Sequence, residues 1–372
     1  MIKLKEVANT KELKQFVTFP FSLYKDSKYW VPPIIKDELD SFNKDINPVF
    51  KDADARFFLA YKERTLVGRV AAIINRLEIG QQSIKKMRFG WFDFIDDTNV
   101  SKILLDKVAE IGRENDLEFM EGPVGFSNLD KVGVLVDGFD HLGSMVTWYN
   151  HPYYEKHYTD FGFVKEKEYL ENKFPASNAD PALFTKLNDI VKRRYGLREK
   201  NFTNTKEVMP FVDEMFDLFN ATYAKLSSFV PITEIQKAYF KKRYISFINP
   251  EYIKFILDKN DKLISFAIVM PSYSKALQKA KGKLFPLGIF YLLSAKKNNK
   301  DAIFYLIGIH PEYQNKGVTA IIFNEYYKTF KKKGVQMCYR TPELEDNLAI
   351  KQMWKHFSPT VYKRRRTYRK NL

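Results

Sequence analysis

Residues Ala302 to Gly334 constrain the chain more than any other stretch, because the sequence changes period there across one short turn. Ala302 to Ile309 (AIFYLIGI) is an apolar run rich in β-branched and aromatic residues, the composition of a buried strand. From Val318 the apolar residues fall at Ile321, Ile322, Tyr326 and Phe330, the spacing of one helical face. Lys331, Lys332, Lys333 and Gly334 then supply the cations and the glycine that end a helix. A strand that passes through a turn into a helix leaves the first helical N–H groups unpaired, and such groups bind anions. Gly317 permits a close approach and Lys316 adds a positive charge. The stretch is either a plain strand–turn–helix connection or a phosphate-binding loop built from Gln314, Asn315, Lys316, Gly317, Val318, Thr319 and Ala320.

A chain of 372 residues exceeds one typical core, so two domains are expected. Phe174 to Pro181 (FPASNADP) has the composition of a linker and sets them at 1–175 and 182–372. The single cysteine, Cys338, excludes a disulfide framework and reads as a packed thiol in a strand. The amino terminus carries no apolar signal run. The longest apolar stretch, Leu284 to Ala295, is too short to span a bilayer and reads as a buried helix kinked near Pro286. A cytoplasmic protein without a membrane span is expected, and no metal site.

Charge is unevenly spread. Residues 1–175 hold 25 Lys and Arg against 28 Asp and Glu, a balance of −3; the remainder holds 36 against 17, a balance of +19. The second half is therefore expected to meet a polyanion: nucleic acid, an anionic membrane surface or a phosphate-rich cofactor.

Asn9 or Thr10 caps a first helix from Lys11 to about Tyr24. Ala55–Tyr61 and Leu66–Asn75 read as a hairpin, Met87–Ile95 as a third strand, and Val100 to about Asn115 as a helix capped within Asp96–Asn99. Phe119–Pro123, a short helix around Tyr154–Tyr158 and a strand from Phe163 follow. The glycine-punctuated runs Gly122–Asn128 and Gly133–Phe139 are pocket loops or simple turns. After the linker come helices at Phe184–Tyr195, Val208–Tyr223 and Thr233–Tyr244, and a hairpin at Tyr252–Lys259 and Lys262–Met270. The opening stretch, a strand Val335–Tyr339, a helix capped near Asn347 and a basic strand or tail, Val361–Tyr368, complete the chain. The halves run through the same order of elements. The expected fold is mixed α+β, duplicated at domain scale.

Gln314-Asn315-Lys316-Gly317-Val318-Thr319-Ala320 resembles the central motif of the GNAT superfamily of acyl-CoA N-acyltransferases, Q/R-x-x-G-x-G/A, departing only at its last small residue. The first half resembles the amino-terminal half of bacterial tandem GNAT-like proteins through Gly68-Arg69, Phe89–Asp93, Gly122-Pro123, Gly138-Phe139 and Tyr154–Phe163. There Asp96-Asp97-Thr98-Asn99 stands in place of the phosphate loop, and two carboxylates repel a pyrophosphate. The resemblance implies two tandem domains, each a mixed β-sheet flanked by helices. It also implies acetyl-CoA or another acyl-CoA on the 314–320 loop, on the backbone N–H groups of Ile307 and Ile309, and near Asn347. Trp354 falls where the family carries its acid tyrosine, and indole is no acid at neutral pH.

Acyl transfer to an amine needs a base for the ammonium, a donor for the carbonyl oxygen and a proton for the departing thiolate. Tyr305, Tyr339, His310 and His356 are the second-half candidates. No carboxylate lies within Ala302–Ile309, whereas the first half offers Asp93, His157 and Tyr158 for an acceptor site. The leading expectation is an acyl-CoA-dependent N-acyltransferase acting on a small-molecule amine or a peptide. The alternatives are a non-catalytic acyl-CoA-binding regulator and a transferase that takes aminoacyl groups from tRNA.

Overall fold

Apolar runs bounded by turn residues become strands, and amphipathic runs bounded by Asn, Asp or Gly become helices. The computed structural model describes residues 1–127, 129–224, 229–243, 245 and 248–372; the expected loop residue Asn128 and helix end Tyr244 lie outside these. The chain forms two units. One comprises Met1–Leu170, Ser274–Tyr291 and Tyr362–Leu372, and the other Glu171–Tyr273 and Leu292–Val361. This redraws the linear division at 175 and 182, because strand pairing rather than linker composition decides where each segment belongs.

In the first unit β1 (Ile2–Glu6), β2 (Ala53–Lys62), β3 (Thr65–Asn75) and β4 (Lys86–Phe94) are antiparallel neighbours in that order. β5 (Phe119–Gly122) lies parallel to β4. The alternating β1 (IKLKE) is too short to have stood out as a strand. α1 (Thr10–Leu23) takes Asn9 as its cap, the Asn9 Oδ1 accepting the Glu12 N–H at 3.0 Å. α2 (Ile35–Ser41) and α3 (Arg76–Gln82) are short additions. α4 (Thr98–Glu114), capped by Asp97, crosses from β4 to β5 and buries Val100, Leu104, Val108 and Ile111. Then come β6 (Val134–Asp137), α5 (Tyr154–Asp160) and β7 (Val164–Pro175).

The second unit repeats this order. After α6 (Pro181–Tyr195), β8 (Arg198–Asn201), α7 (Thr205–Val208), α8 (Val212–Tyr223) and α9 (Glu234–Arg243), β9 (Ile253–Leu257) and β10 (Leu263–Pro271) form the hairpin. α10 (Ser274–Ala280) and α11 (Gly288–Lys297) lead to β11 (Asp301–Ile309), α12 (Thr319–Lys333), β12 (Met337–Arg340), β13 (Glu343–Leu344), α13 (Leu348–Trp354) and β14 (Thr360–Asn371). β8, β9, β10 and β11 are antiparallel in that order and β12 is parallel to β11. Each unit is completed by a strand end that the linear order would give to the other half. Lys173–Pro175 of β7 pair with Met337–Tyr339, and Tyr368–Asn371 of β14 pair with Phe119–Gly122.

One expectation fails here. Leu284–Ala295 is not a buried, kinked helix: α11 begins only after Pro286, and Phe285, Leu287, Phe290 and Leu293 are exposed. Of the two readings of Val361–Tyr368, a basic strand or a tail, the strand is the one formed, within β14. Arg364 pairs with Glu168 (2.8 Å), Arg366 with Glu155 (2.6 Å) and Glu168 (2.8 Å), and Arg365 is buried.

Candidate active site

The site of the second unit follows from a mismatch in strand length. β12 pairs with β11 only over Asp301–Phe304 against Met337–Arg340, and β11 then runs on to Ile309. On its other side β11 stays paired with β10, but the register slips between Ile268 and Val269 and leaves Tyr305 as the extra residue. Tyr305, Leu306 and Ile307 are half-buried where the preceding residues are buried. A strand that outlasts its neighbour presents free backbone groups along one edge. Gly308 makes room at this point, since a Cβ there would lie 2.3 Å from the Phe266 ring.

α8 reaches this edge. The Tyr223 hydroxyl donates to the Ile307 carbonyl at 3.0 Å, and the Thr222 hydroxyl to the Ile309 carbonyl at 3.3 Å. These bonds show that Ile307 and Ile309 turn their peptide groups away from β10. Burial pushes the Tyr223 hydroxyl up to about 12, with the Glu343 charge adding to it. On the β12 side, Thr341 returns to β11, its N–H donating to Phe304 (3.3 Å) and its hydroxyl to Tyr305 (3.3 Å).

Glu343 follows on β13, and its carboxylate is gripped by both arms of the Arg340 guanidinium, Nε at 2.8 Å. Burial pushes the Glu343 carboxyl up to about 7 although Arg340 pulls it down. Arg340 in turn lies 4.7 Å over the Trp354 ring. Trp354 is buried and packs against Phe174, Phe304, Phe323 and Phe357, ring centroids 4.7–5.6 Å apart. Trp354 is thus a core side chain that supports an arginine and, through it, a carboxylate. Sequence reasoning looked for a carboxylate inside β11 and missed Glu343 and Tyr223. The available signal was Thr341-Pro342-Glu343, an acid just past the parallel partner strand.

The anion-binding expectation falls on a defined turn. Pro311–Tyr313 make a single tight turn, and the Gln314 side-chain amide donates back to the Ile309 carbonyl at 3.2 Å. Asn315 (φ 59°) and Gly317 (φ 76°) are left-handed and Val318 (φ −55°) right-handed. Alternating backbone hand turns successive N–H groups toward one concave side, the arrangement that binds anions. Among the described residues the N–H groups of Gly317 and Val318 find no acceptor. Gln314 through Gly317 are exposed, whereas Val318 and Ala320 anchor the start of α12 in the core; Thr319 lies between these states. Lys316 sits 5.5 and 5.3 Å from the centres of the Tyr195 and Tyr313 rings. Asn347 has another duty: its Oδ1 accepts the Ile350 N–H at 3.1 Å and caps α13. Tyr339 lies within the sheet, paired with Ile303 and Lys173, and burial raises its hydroxyl. His310 accepts the Glu312 N–H, and the His356 ring lies 6.5 Å from that of Phe184.

In the first unit the corresponding opening is filled. β4 is buried along its whole length. The Val124 N–H donates to Phe89 at 2.8 Å, and the Phe94 N–H to the Tyr154 hydroxyl at 3.2 Å. Asp93 is held by Arg69 (2.8 Å) and Tyr24 (2.6 Å) and is almost fully buried. Tyr158 is buried and stacked on Tyr368, centroids 4.7 Å apart, and burial raises its hydroxyl well above the ordinary range. Asp93 and Tyr158, expected at an acceptor site, are thus buried and packed against these partners. Asp96 and Asp97 are engaged too, Asp96 with His157 (3.0 Å) and Asp97 with Lys62 (3.0 Å) and the cap of α4.

No family model matches the chain. Protein YghO of Escherichia coli (strain K12) is 26% identical over 372 residues, covering 98% of this chain and 94% of its own length. Bacterial ceramide synthase of Caulobacter vibrioides is 24% identical over 375 residues, covering 97% and 95%. Among solved structures, a tandem GNAT protein from the clavulanic acid biosynthesis pathway superposes with a TM-score of 0.58 at 11% identity, covering 100% of this chain and 98% of that one. A GCN5-related N-acetyltransferase from Sphaerobacter thermophilus gives 0.53 at 7% identity, covering 100% and 95%. The order of elements, the diverging parallel strands and these superpositions agree: the chain has the tandem GNAT fold.

Proposed function

We propose that the chain is an acyl-CoA-dependent N-acyltransferase whose working site lies in the second unit, at the open edge of β11. The observation that carries this is the turn Asn315–Val318, where two left-handed residues and an exposed Lys316 stand at the start of α12, immediately after that edge. The donor set fits a pyrophosphate: backbone N–H groups on a concave turn, one ammonium and the first turn of a helix. An acyl-CoA supplies an acyl group activated as a thioester.

The chain's own residues account for the rest. Glu343 takes the proton that an ammonium acceptor must lose before its nitrogen attacks. The Ile307 N–H, on the free edge, meets the charge that develops on the carbonyl oxygen. The Tyr223 hydroxyl, 3.0 Å from the Ile307 carbonyl, stands at that edge as the proton donor for the departing thiolate, which leaves as the free CoA thiol. The Caulobacter relative is named for ceramide, which is the N-acyl amide of a long-chain amino alcohol. We assign the same acceptor class here, a primary amine carried on a lipid chain.

Calorimetric titration with acetyl-CoA and a long-chain acyl-CoA, followed by free-thiol release with a panel of amines, tests the reading. Wild-type protein binds an acyl-CoA, Gly317→Glu does not, and thiol release is fastest with a long-chain amino alcohol. Binding untouched by Gly317→Glu, or no thiol release with any amine, overturns it.

A further inference from the structure

Between Asp261 and Asp301 the chain carries no carboxylate and eight lysines. Within this stretch Phe285, Leu287, Phe290 and Leu293 are 75%, 57%, 64% and 48% exposed. Phe290 and Leu293, three residues apart, share one face of α11, and Phe285 and Leu287 stand in the turn just before it. Soluble surfaces seldom gather large apolar side chains so densely, and a patch of this kind marks an interaction surface.

The support beneath it is firm. The Ser274 hydroxyl of α10 donates to Gly143 (2.8 Å), Gln278 donates to Lys28 (2.9 Å) and Trp30 (3.0 Å), and the Ile35 N–H donates to Gly282 (2.9 Å). Gly282 permits this contact, since a Cβ there would meet the Phe21 ring at 2.6 Å. The chain then doubles back tightly, the Ile289 N–H donating to Leu284 at 2.6 Å. The apolar tip is therefore presented by an anchored hairpin. Lys281 and Lys283 stand exposed before it, and Lys297 and Lys300 after it.

We infer that this tip docks the protein on an anionic lipid bilayer, with Phe285, Leu287, Phe290 and Leu293 entering the headgroup boundary and the flanking lysines meeting lipid phosphates. An apolar face flanked along the chain by lysines is the pattern of an interfacial membrane contact. At ten residues α11 is too short to cross the bilayer, and no helix among the described residues is long and apolar enough to do so. A second copy is a poor occupant, because a two-fold contact would set these lysines against themselves. The inference uses no step of the proposed reaction, so it stands or falls apart from acyl transfer.

Flotation of the full chain with phosphatidylcholine vesicles, with and without phosphatidylglycerol, at low and high salt, tests it. Wild type floats with the anionic vesicles about tenfold more strongly than with neutral ones, and salt weakens this. The double variant Phe285→Ser and Phe290→Ser, checked for an unchanged melting temperature, loses binding about tenfold. Lys281→Gln with Lys283→Gln loses the anionic preference without touching the apolar tip. Absence of wild-type flotation, variants that bind like wild type, or a wild-type oligomer that the Ser variants dissolve while vesicle binding stays absent, each overturns it.

Discussion

Glu343 shows how one residue acquires chemistry from its surroundings. A carboxyl beside an arginine ordinarily ionises far below neutrality. Here burial outweighs the Arg340 partner and lifts it to about 7. A base with that pKa is half available near neutrality and fully available above it, so kcat/KM should climb through pH 7 to a plateau. Glu343→Gln should remove that ascending limb and lower the plateau by about 10²–10⁴-fold, the usual range for general-base loss. A pH–rate profile with the limb intact in the variant assigns the proton transfer elsewhere. Trp354 acts one step further back, as the plate under Arg340. Trp354→Ala should cost about 3–5 kcal/mol by denaturant unfolding, because the surrounding rings close only in part over the cavity. Trp354→Tyr should not supply the missing acid, since the side chain faces the core.

At the scale of elements, the loop between β11 and α12 is built so that one substitution separates folding from binding. The Lys316 side chain is exposed and its ammonium lies over the Tyr195 and Tyr313 rings. Lys316→Ala should leave the melting temperature within the scatter of surface mutants and weaken acyl-CoA binding about tenfold, as loss of one charged contact does. Equal affinity for both proteins would place the phosphates elsewhere. Much of this element was legible in the sequence. The change from strand to helical period marks where the turn falls, and Gly334 ends α12 in the left-handed conformation (φ 66°) that glycine tolerates. What escaped was non-local. The run at Leu284–Ala295 is as apolar as a core helix, and apolarity does not say whether a neighbour covers it. The ends of β7 and β14 pair far from their own sequence neighbours, which no local period records. Glu343 reads as a turn residue until Arg340 and Trp354 enclose it.

For the whole molecule, the duplicated fold has two different outcomes at corresponding places. In the first unit the strand beside the crossover is buried throughout, and Tyr154 sits on the Phe94 N–H; in the second unit the counterpart edge is half open. The first unit also holds a buried charge cluster. Arg88 grips Glu78 at 2.6 and 2.7 Å, and Lys86 bridges Glu78 (2.9 Å) and Glu121 (3.1 Å). Burial alone would raise both carboxyls, but Arg88 and Lys86 outweigh it and hold Glu78 and Glu121 below the ordinary value of 4.5. A depressed carboxyl contributes its stability above the unfolded pKa and loses it as pH falls through the folded one. Acid unfolding should therefore set in below about pH 4.5, in the range where these groups take up protons. Arg88→Met, which leaves the buried Glu78 with Lys86 as its remaining cation, should cost about 3 kcal/mol. Asp93→Asn, which leaves Arg69 with half a partner, should likewise lower the unfolding midpoint. Neither should change kcat at temperatures where the variant is folded, whereas Glu343→Gln, which also leaves the buried Arg340 with half a partner, should lower kcat even in fully folded protein. A kcat that falls with Asp93→Asn in fully folded protein would return the first unit to the chemistry. The opposite pattern separates the proposed roles of the copies: in one, buried charges pair with each other and hold a fold together; in the other, a half-open strand edge and an exposed turn form the proposed ligand site.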